Sequence, residues 1–173
     1  TFDPDVLGGL SITGRMTFVS DDDFAQFLTR TDGTPYGGFG ETANGLEFFF
    51  SANGGAASPG IRTKRAGITI GAVTSGPTIN VVAGDIFDFT IIDEGTSGVS
   101  FTVTKVGGTF FTSTSTAVVT GDSVTPSLVS FHNREGGRRM NLDNIVISTV
   151  PEPSSSLMAL GSLGLLFRRK RRA

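Results

Sequence analysis

The chain of 173 residues contains no cysteine and no tryptophan, and it has one histidine and one tyrosine. The lack of cysteine excludes disulfides, thiolate metal ligands and thiol nucleophiles. The lack of tryptophan removes a large aromatic side chain suited to stacking on sugars. A Ser–His–acid catalytic set would need the single histidine, His132, and no Gly-x-Ser-x-Gly nucleophile motif accompanies it. We therefore expect His132 to be a surface or strand residue.

Carboxylates are more numerous, but their spacing does not suit glycoside hydrolysis. Retaining glycosidases hold two carboxyl groups about 5 Å apart, which in a strand requires acidic residues at alternate positions. Asp93 and Glu94 are adjacent, and Asp85 and Asp88 have an odd spacing, so each pair would point to opposite faces. We expect a non-catalytic protein, and an unrecognised hydrolase is the least favoured alternative.

Charge divides the chain into two regions. Residues 1–150 carry 15 acidic and 9 basic side chains, whereas residues 151–173 carry one acidic and five basic side chains. An acidic body argues against a nucleic-acid partner, because such partners require a basic surface. The sequence thus predicts a body of residues 1–149 followed by a functionally separate tail of residues 150–173.

The tail has three parts in a fixed order. Pro151, Glu152 and Pro153 form an extended segment, because proline fixes φ and donates no backbone hydrogen bond. The uncharged run 154–167 has 14 residues, and as a helix it would measure about 21 Å, less than the roughly 30 Å hydrocarbon core. This length predicts a transient membrane anchor. Basic residues, which favour the cytoplasmic side, end the chain: Arg168, Arg169, Lys170, Arg171 and Arg172.

This ordered triple resembles the PEP-CTERM protein-sorting signal, with Pro151, Glu152 and Pro153 as the matching motif. The resemblance implies recognition by an exosortase-type transpeptidase, removal of the helix and basic tail, and a body exported to the envelope or the outside of a Gram-negative-type bacterium. Export also needs a signal peptide. Because the chain begins at Thr1, we expect this peptide to have been cleaved or left out.

The body is predicted to consist of β-strands. Valine, isoleucine, phenylalanine and threonine recur in short runs separated by turn residues, and Val99, Phe101 and Val103 alternate cleanly with polar residues. The mixed pattern of 85–92 predicts a strand at the rim of a sheet. The predicted strands are 11–20, 24–30, 45–51, 66–74, 78–83, 85–92, 98–106, 109–119, 127–132 and 141–149.

About ten short strands predict an all-β, antiparallel two-sheet sandwich of the jelly-roll type, followed by the short C-terminal apolar helix. The strand texture of 45–51, 101–104 and 141–147 is similar to that of concanavalin-like and galactose-binding-like sandwiches. A closing strand of this form directly before the Pro-Glu-Pro segment also supports a domain boundary near residue 149.

Two loop regions are candidates for contact with a glycan. Tyr36 and Phe39 lie in a glycine-rich stretch and could stack on a sugar ring, although a plain connecting loop explains them as well. Asn133, Arg134 and Arg138 could bind hydroxyl groups or an acidic polysaccharide, and a solvated hairpin tip is the alternative.

Acidic residues also provide a candidate calcium site. Asp21, Asp22 and Asp23 form a dense acidic turn, and Ca²⁺ prefers such oxygen ligands. Asp143 resembles the carboxylate that galactose-binding-like sandwiches use for a structural calcium. The alternative is that these residues are exposed turn acids and that Asp21 or Asp23 caps the next element.

Together these features predict an exported, non-catalytic envelope or extracellular-matrix protein whose partners are an exosortase, the membrane transiently, and extracellular polysaccharide. The alternative function is a calcium-dependent, lectin-like carbohydrate-binding module.

Overall fold

The computed structural model describes residues 9–20, 23–31, 45–53, 55–65, 68–94, 98–107, 112–117, 128–133 and 140–150. All regular structure in these ranges is β-strand, and the predicted C-terminal helix lies outside them. No helix in these ranges has the length and hydropathy needed to cross a membrane. The strands are β1 Leu10–Phe18, β2 Phe24–Thr31, β3 Gly45–Asn53, β4 Ala56–Arg65, β5 Ile68–Ser75, β6 Ile79–Asn80, β7 Ile86–Asp93, β8 Val99–Lys105, β9 Thr112–Ala117, β10 Leu128–Asn133 and β11 Met140–Thr149.

The strands form two antiparallel sheets. The five-stranded sheet has the order β11-β1-β7-β8-β9, and the six-stranded sheet has the order β10-β2-β3-β4-β5, with β6 paired to β4. The chain passes from one sheet to the other after β1 and again after β6, β9 and β10, so that the last strand lies beside the first. This wrapping confirms the predicted all-β, jelly-roll-like sandwich.

Phenylalanine rings fill the space between the sheets. Phe27 on β2 packs against Phe89 on β7 with ring centroids 4.6 Å apart, and Phe50 on β3 packs against Phe87 at 5.1 Å. Phe18 on β1 meets Phe50 edge-on at 5.4 Å. Each contact joins the two sheets, because strands place alternate side chains on one face and these rings all occupy the inner face.

An ion pair with both side chains buried also joins the sheets. The guanidinium of Arg30 on β2 donates to both carboxylate oxygens of Asp93 on β7, at 2.9 and 2.5 Å. The Thr29 hydroxyl donates to the same carboxylate at 2.9 Å. Arg30 has a positive φ of 55°, which interrupts the alternation of side chains along the strand. The consecutive residues Thr29 and Arg30 can therefore both reach the Asp93 carboxylate.

The prediction that β7 is a rim strand is wrong. β7 lies between β1 and β8, and its inward residues alternate with outward ones in the pattern expected of a half-buried strand. Its polar residues are accommodated by partners: Asp88 pairs with Arg15 on the outer surface, and Asp93 pairs with the buried Arg30. Acidic residues in a strand therefore did not mark an edge here.

The ten-residue strand β4 was not predicted, because Pro59 and Gly60 resemble a turn. The Pro59 carbonyl accepts a hydrogen bond from Gly76 N, just after β5 ends, and β6 pairs only with Ala56 and Ala57. The backbone N and C=O of one strand residue point to the same side of the strand, so the nitrogen of Pro59 also faces the gap between β5 and β6. No neighbouring strand among the described residues needs a hydrogen-bond donor at that position. Proline is tolerated there within the sheet.

Candidate functional site

A cluster of charged and aromatic side chains lies on the outer face of the six-stranded sheet, on β2, β3 and β4. Phe48 and Phe50 of β3 point into the core, so Glu47 and Phe49 point outward. In register, Glu47 faces Arg62, and Phe49 faces Gly60 on one side and Gln26 on the other. We call Gln26, Glu47, Phe49, Arg62 and Lys64 the outer-face cluster.

Glu47 is the centre of this cluster. Its carboxylate is fully buried and receives two hydrogen bonds from Arg62, from Nε to Oε2 at 2.7 Å and from Nη2 to Oε1 at 2.8 Å. Gln26 Nε2 also donates to Oε1, and Lys64 Nζ lies 4.0 Å from Oε2. A buried carboxylate is stable only with such charged partners, and the two-point Arg62 contact also fixes the guanidinium plane.

The cluster carries one more positive than negative charge, since Arg62 and Lys64 share Glu47. Burial lowers the pKa of Lys64, repulsion from Arg62 lowers it further, and attraction to Glu47 opposes both effects. Arg62 is the most accessible of the three charged groups, with 24% of its side chain exposed. The cluster therefore presents the partly exposed guanidinium of Arg62, and its two hydrogen bonds to the buried Glu47 carboxylate fix its orientation.

An aromatic surface adjoins this guanidinium. Arg62 Cζ lies 4.7 Å from the centre of the half-buried Phe49 ring, a cation–π distance. Phe24 lies parallel to Phe49, with an interplanar angle of 5° and centroids 6.3 Å apart. Gly60 is required below this ring, because a Cβ there would lie 2.2 Å from Phe49 Cζ. Charge and a flat apolar ring thus meet on one sheet face.

Strand β10 borders this face and carries one of the predicted glycan contacts. In register, His132 lies opposite Gln26, and Asn133 lies opposite Ala25. The position that borders the outer-face cluster is therefore that of His132, whereas Asn133 lies opposite the core residue Ala25, so its role in glycan contact stays a prediction. Tyr36, Phe39, Arg134 and Arg138 lie outside the described residues, so their role in glycan contact stays a prediction.

Asp23 forms part of a turn. Its buried carboxylate accepts hydrogen bonds from Val19 N at 2.5 Å, from Ser20 N at 2.8 Å and from the Ser20 hydroxyl at 2.7 Å. These contacts fix the backbone that follows β1. The alternative to metal binding was an exposed turn acid that caps the next element, whereas Asp23 is buried and binds the residues before it.

Asp143, the other described residue of the proposed calcium site, is exposed on β11 and accepts a hydrogen bond from Asn144 N at 2.7 Å. The pKa of Arg15 is raised by its hydrogen bond to Asp88 and by the charge of Asp88, and the charge of Asp143 adds a smaller contribution. Within the described ranges, no three histidine or acidic residues group closely enough to hold a metal. Asp21 and Asp22 lie outside those ranges, so calcium binding stays a prediction.

The outer surface of the five-stranded sheet is rich in hydroxyl groups. Thr13, Thr90, Thr102 and Thr114 lie opposite one another across four strands, and the Thr102 and Thr114 hydroxyls are 2.9 Å apart. The next row contains Thr104 and Thr112, also at 2.9 Å. Such cross-strand pairs stabilise a solvated face.

The C-terminal segment matches the family described as the PEP-CTERM protein-sorting motif, over residues 149–172. This confirms the sorting signal predicted from Pro151, Glu152, Pro153 and the basic run Arg168–Arg172, which lie outside the described structure. The signal implies recognition by an exosortase and an exported protein that is processed at the membrane. It covers only the tail and does not classify the body.

Solved structures with a similar chain path are β-sandwich proteins. Galectin LEC-6 of Caenorhabditis elegans is 14% identical with a TM-score of 0.47, over 83% of this chain and 85% of the galectin. An alginate lyase of Pseudomonas aeruginosa is 10% identical with a TM-score of 0.46, over 85% and 67% of the two chains. An alginate lyase of Alteromonas sp. 272 is 12% identical with a TM-score of 0.39, over 83% and 72%. These proteins are too distant to indicate a function for the body, and no curated protein matches the sequence.

Proposed function

We propose that the protein is a non-catalytic component of the cell envelope or extracellular matrix of a Gram-negative-type bacterium, delivered there through its exosortase signal. The observation that carries this proposal is the sorting motif at residues 149–172. The β-sandwich is the part of the chain that is exported, and its partner outside the cell is extracellular polysaccharide.

The position of the motif relative to the last strand supports this division. β11 ends at Thr149, and Val150 N still donates to Gly9 O at 3.0 Å. Pro151 follows at once. Cleavage anywhere after residue 150 would therefore leave every described strand and its hydrogen bonds intact, as the release of a folded body requires.

The state of the buried carboxylates supports a non-catalytic body. Glu47 is held by Arg62, and Asp93 is held by Arg30, each through two hydrogen bonds. A catalytic acid or base needs a proton affinity matched to the working pH and access to the substrate. Buried carboxylates that are held by arginine lack this access, and we interpret both ion pairs as structural elements.

Sorting is tested in a Gram-negative host that contains an exosortase, by comparing the native precursor with a Pro151→Ala/Pro153→Ala variant. The native chain should reach the outer envelope or medium in shortened form, and the variant should stay in the inner-membrane fraction at full mass. Pro77→Ala, at an exposed proline outside the motif, is the matched control and should behave as the native chain. Equal sorting of all three chains would refute the proposal.

The second candidate function is a carbohydrate-binding module, and the outer-face cluster is the observation in its favour. Sugar sites combine a flat apolar ring with oriented polar groups, and Phe49 with the fixed Arg62 guanidinium has this combination. The hypothesis that binding also depends on calcium rests on Asp21, Asp22, Asp23 and Asp143.

A titration of the protein with defined glycans, with calcium and again with a chelator, separates the two functions. Saturable binding that falls in Arg62→Lys, which keeps the charge but not the two-point contact with Glu47, would support the module. Arg15→Lys on the opposite sheet is the control and should bind as the native protein does. Loss of binding with chelator would support calcium, whereas the absence of saturable binding to any defined glycan would leave the matrix function.

A further inference from the structure

Strand β11 is an edge of the sandwich, and it is unusually exposed. It forms the end of the five-stranded sheet, paired only to β1 among the described strands. Three consecutive apolar side chains near its C-terminus reach solvent: Ile145 is 37% exposed, Val146 57% and Ile147 48%. Long, apolar edge strands are sites at which another chain can add to a sheet.

The exposed side chains lie on both faces of the strand. Ile147 lies opposite Ile12, which is fully buried in the core, so Ile147 points toward the inner face. Val146 lies opposite Thr13 and points outward. Among the described residues the sandwich is therefore open along this side, and an added strand would cover apolar surface on its inner and outer faces together.

The usual protections of an edge strand are missing from this segment. Residues 144–150 contain no charge, no proline and no glycine, although these are the residues that discourage edge pairing. A register shift separates Thr13 and Arg15 on β1, and Asn144 opposite has a positive φ of 54°. The shift takes in Asn144 and Ile145, and regular pairing resumes at Val146, so the four residues from Val146 to Thr149 form a regular, uncharged edge.

We propose that β11 pairs with β11 of a second copy of this chain, antiparallel and about a two-fold axis. An antiparallel strand can pair with itself only if no like charges are brought together, and the uncharged segment meets this condition. The position of the sorting motif favours a second copy over another partner. The motif starts at residue 149, so copies of this chain are gathered at one membrane before processing, which raises their effective concentration for one another.

The absence of native cysteine makes a direct test simple. Single-cysteine chains with Ile145→Cys, Val146→Cys or Ile147→Cys are purified at full length in mild detergent and oxidised. A disulfide needs Cα atoms within about 7 Å, so at least one of these positions near the axis should give mostly disulfide-linked dimer. Val82→Cys, at a 59% exposed valine in a turn, is the matched control and should stay largely monomeric.

A second substitution shows whether the edge is responsible. Val146→Lys, placed in the Ile145→Cys chain, puts like charges on the two copies at an exposed site and should abolish the crosslink, while Val82→Lys should not. Equal crosslinking at Val82→Cys would mean association through the tail, and no crosslink at β11 would mean a monomeric body. Either outcome overturns the proposal but leaves the sorting proposal intact, because the assay uses purified chain without an exosortase.

Discussion

The ion pair between Arg30 and Asp93 gives a quantitative test of how the two sheets are held together. Asp93→Asn keeps the side-chain shape and an acceptor for the Thr29 hydroxyl but removes the negative charge beside the guanidinium. The Arg30 side chain is only 5% exposed, so its charge would stay buried without the Asp93 carboxylate. Losing one partner of a buried pair costs about 3–5 kcal/mol, from a typical domain stability of roughly 5–15 kcal/mol.

Urea unfolding followed by circular dichroism measures this loss. With a slope of about 2 kcal/mol per M, a loss of about 4 kcal/mol lowers the urea midpoint by about 2 M. Asp88→Asn is the matched control, because its pair with Arg15 has side chains that are 51% and 41% exposed. Exposed pairs contribute little, and this midpoint should not move measurably.

Removing both buried charges separates the effect of the ion pair on stability from the effect of the surrounding side-chain packing. Arg30→Met together with Asp93→Leu keeps apolar volume and leaves no isolated charge, so most of the lost stability should return. Methionine at position 30 keeps the same positive φ, so backbone strain is unchanged between the variants. A midpoint for Asp93→Asn equal to that for Asp88→Asn would refute the account of this pair.

Three further predictions concern the core and the outer-face cluster. Phe27→Ala should lower stability by about 3–5 kcal/mol in urea unfolding, because its ring contacts Phe89 across the core at 4.6 Å; a loss below that of a surface substitution would contradict the packing. Gly60→Ala should cost about 1–3 kcal/mol through overpacking, because its Cβ would lie 2.2 Å from Phe49 Cζ, and adding Phe49→Ala should recover the melting temperature. Burial lowers the pKa of Lys64 below its usual 10.5, so the folded chain binds this proton less tightly than the unfolded chain. The free energy of unfolding should therefore rise with pH from the lowered folded-state pKa up to 10.5, and Lys64→Met, followed by unfolding at several pH values, should remove that rise.

The fold class could be predicted from the sequence because strand alternation is a local property. Val99, Phe101 and Val103 show it directly, and their burial in β8 confirms it. The missing strand β4 shows the limit. Pro59 suits a strand only because the neighbouring strands leave a gap at that position, and a gap between β5 and β6 is a property of the assembled sheet.

The outer-face cluster was missed for a related reason. Glu47 and Arg62 are 15 residues apart, and they meet only because β3 and β4 form a hairpin in the observed register. Without β4, no partner for Glu47 could be assigned. Asp93 similarly fell outside the predicted strand 85–92, whereas it ends β7 and its charge is balanced by Arg30 from the other sheet. Pairings between distant strands depend on register, which single-sequence patterns do not specify.

The sorting motif needed no such long-range information. Its proline, apolar and basic parts are contiguous in the sequence, and the family match covers the same residues. The contrast explains why export and processing of the chain could be predicted more readily than the function of its body.

The most direct test of the sorting function is the intact mass of the mature chain from a host with an exosortase, compared with the same host after deletion of that enzyme. The account predicts that the chain from the exosortase-positive host lacks the basic end that includes Arg168 and Arg172, and that the chain from the deletion host keeps it. A chain that keeps this end in both hosts, or loses it in both, would contradict exosortase-dependent processing.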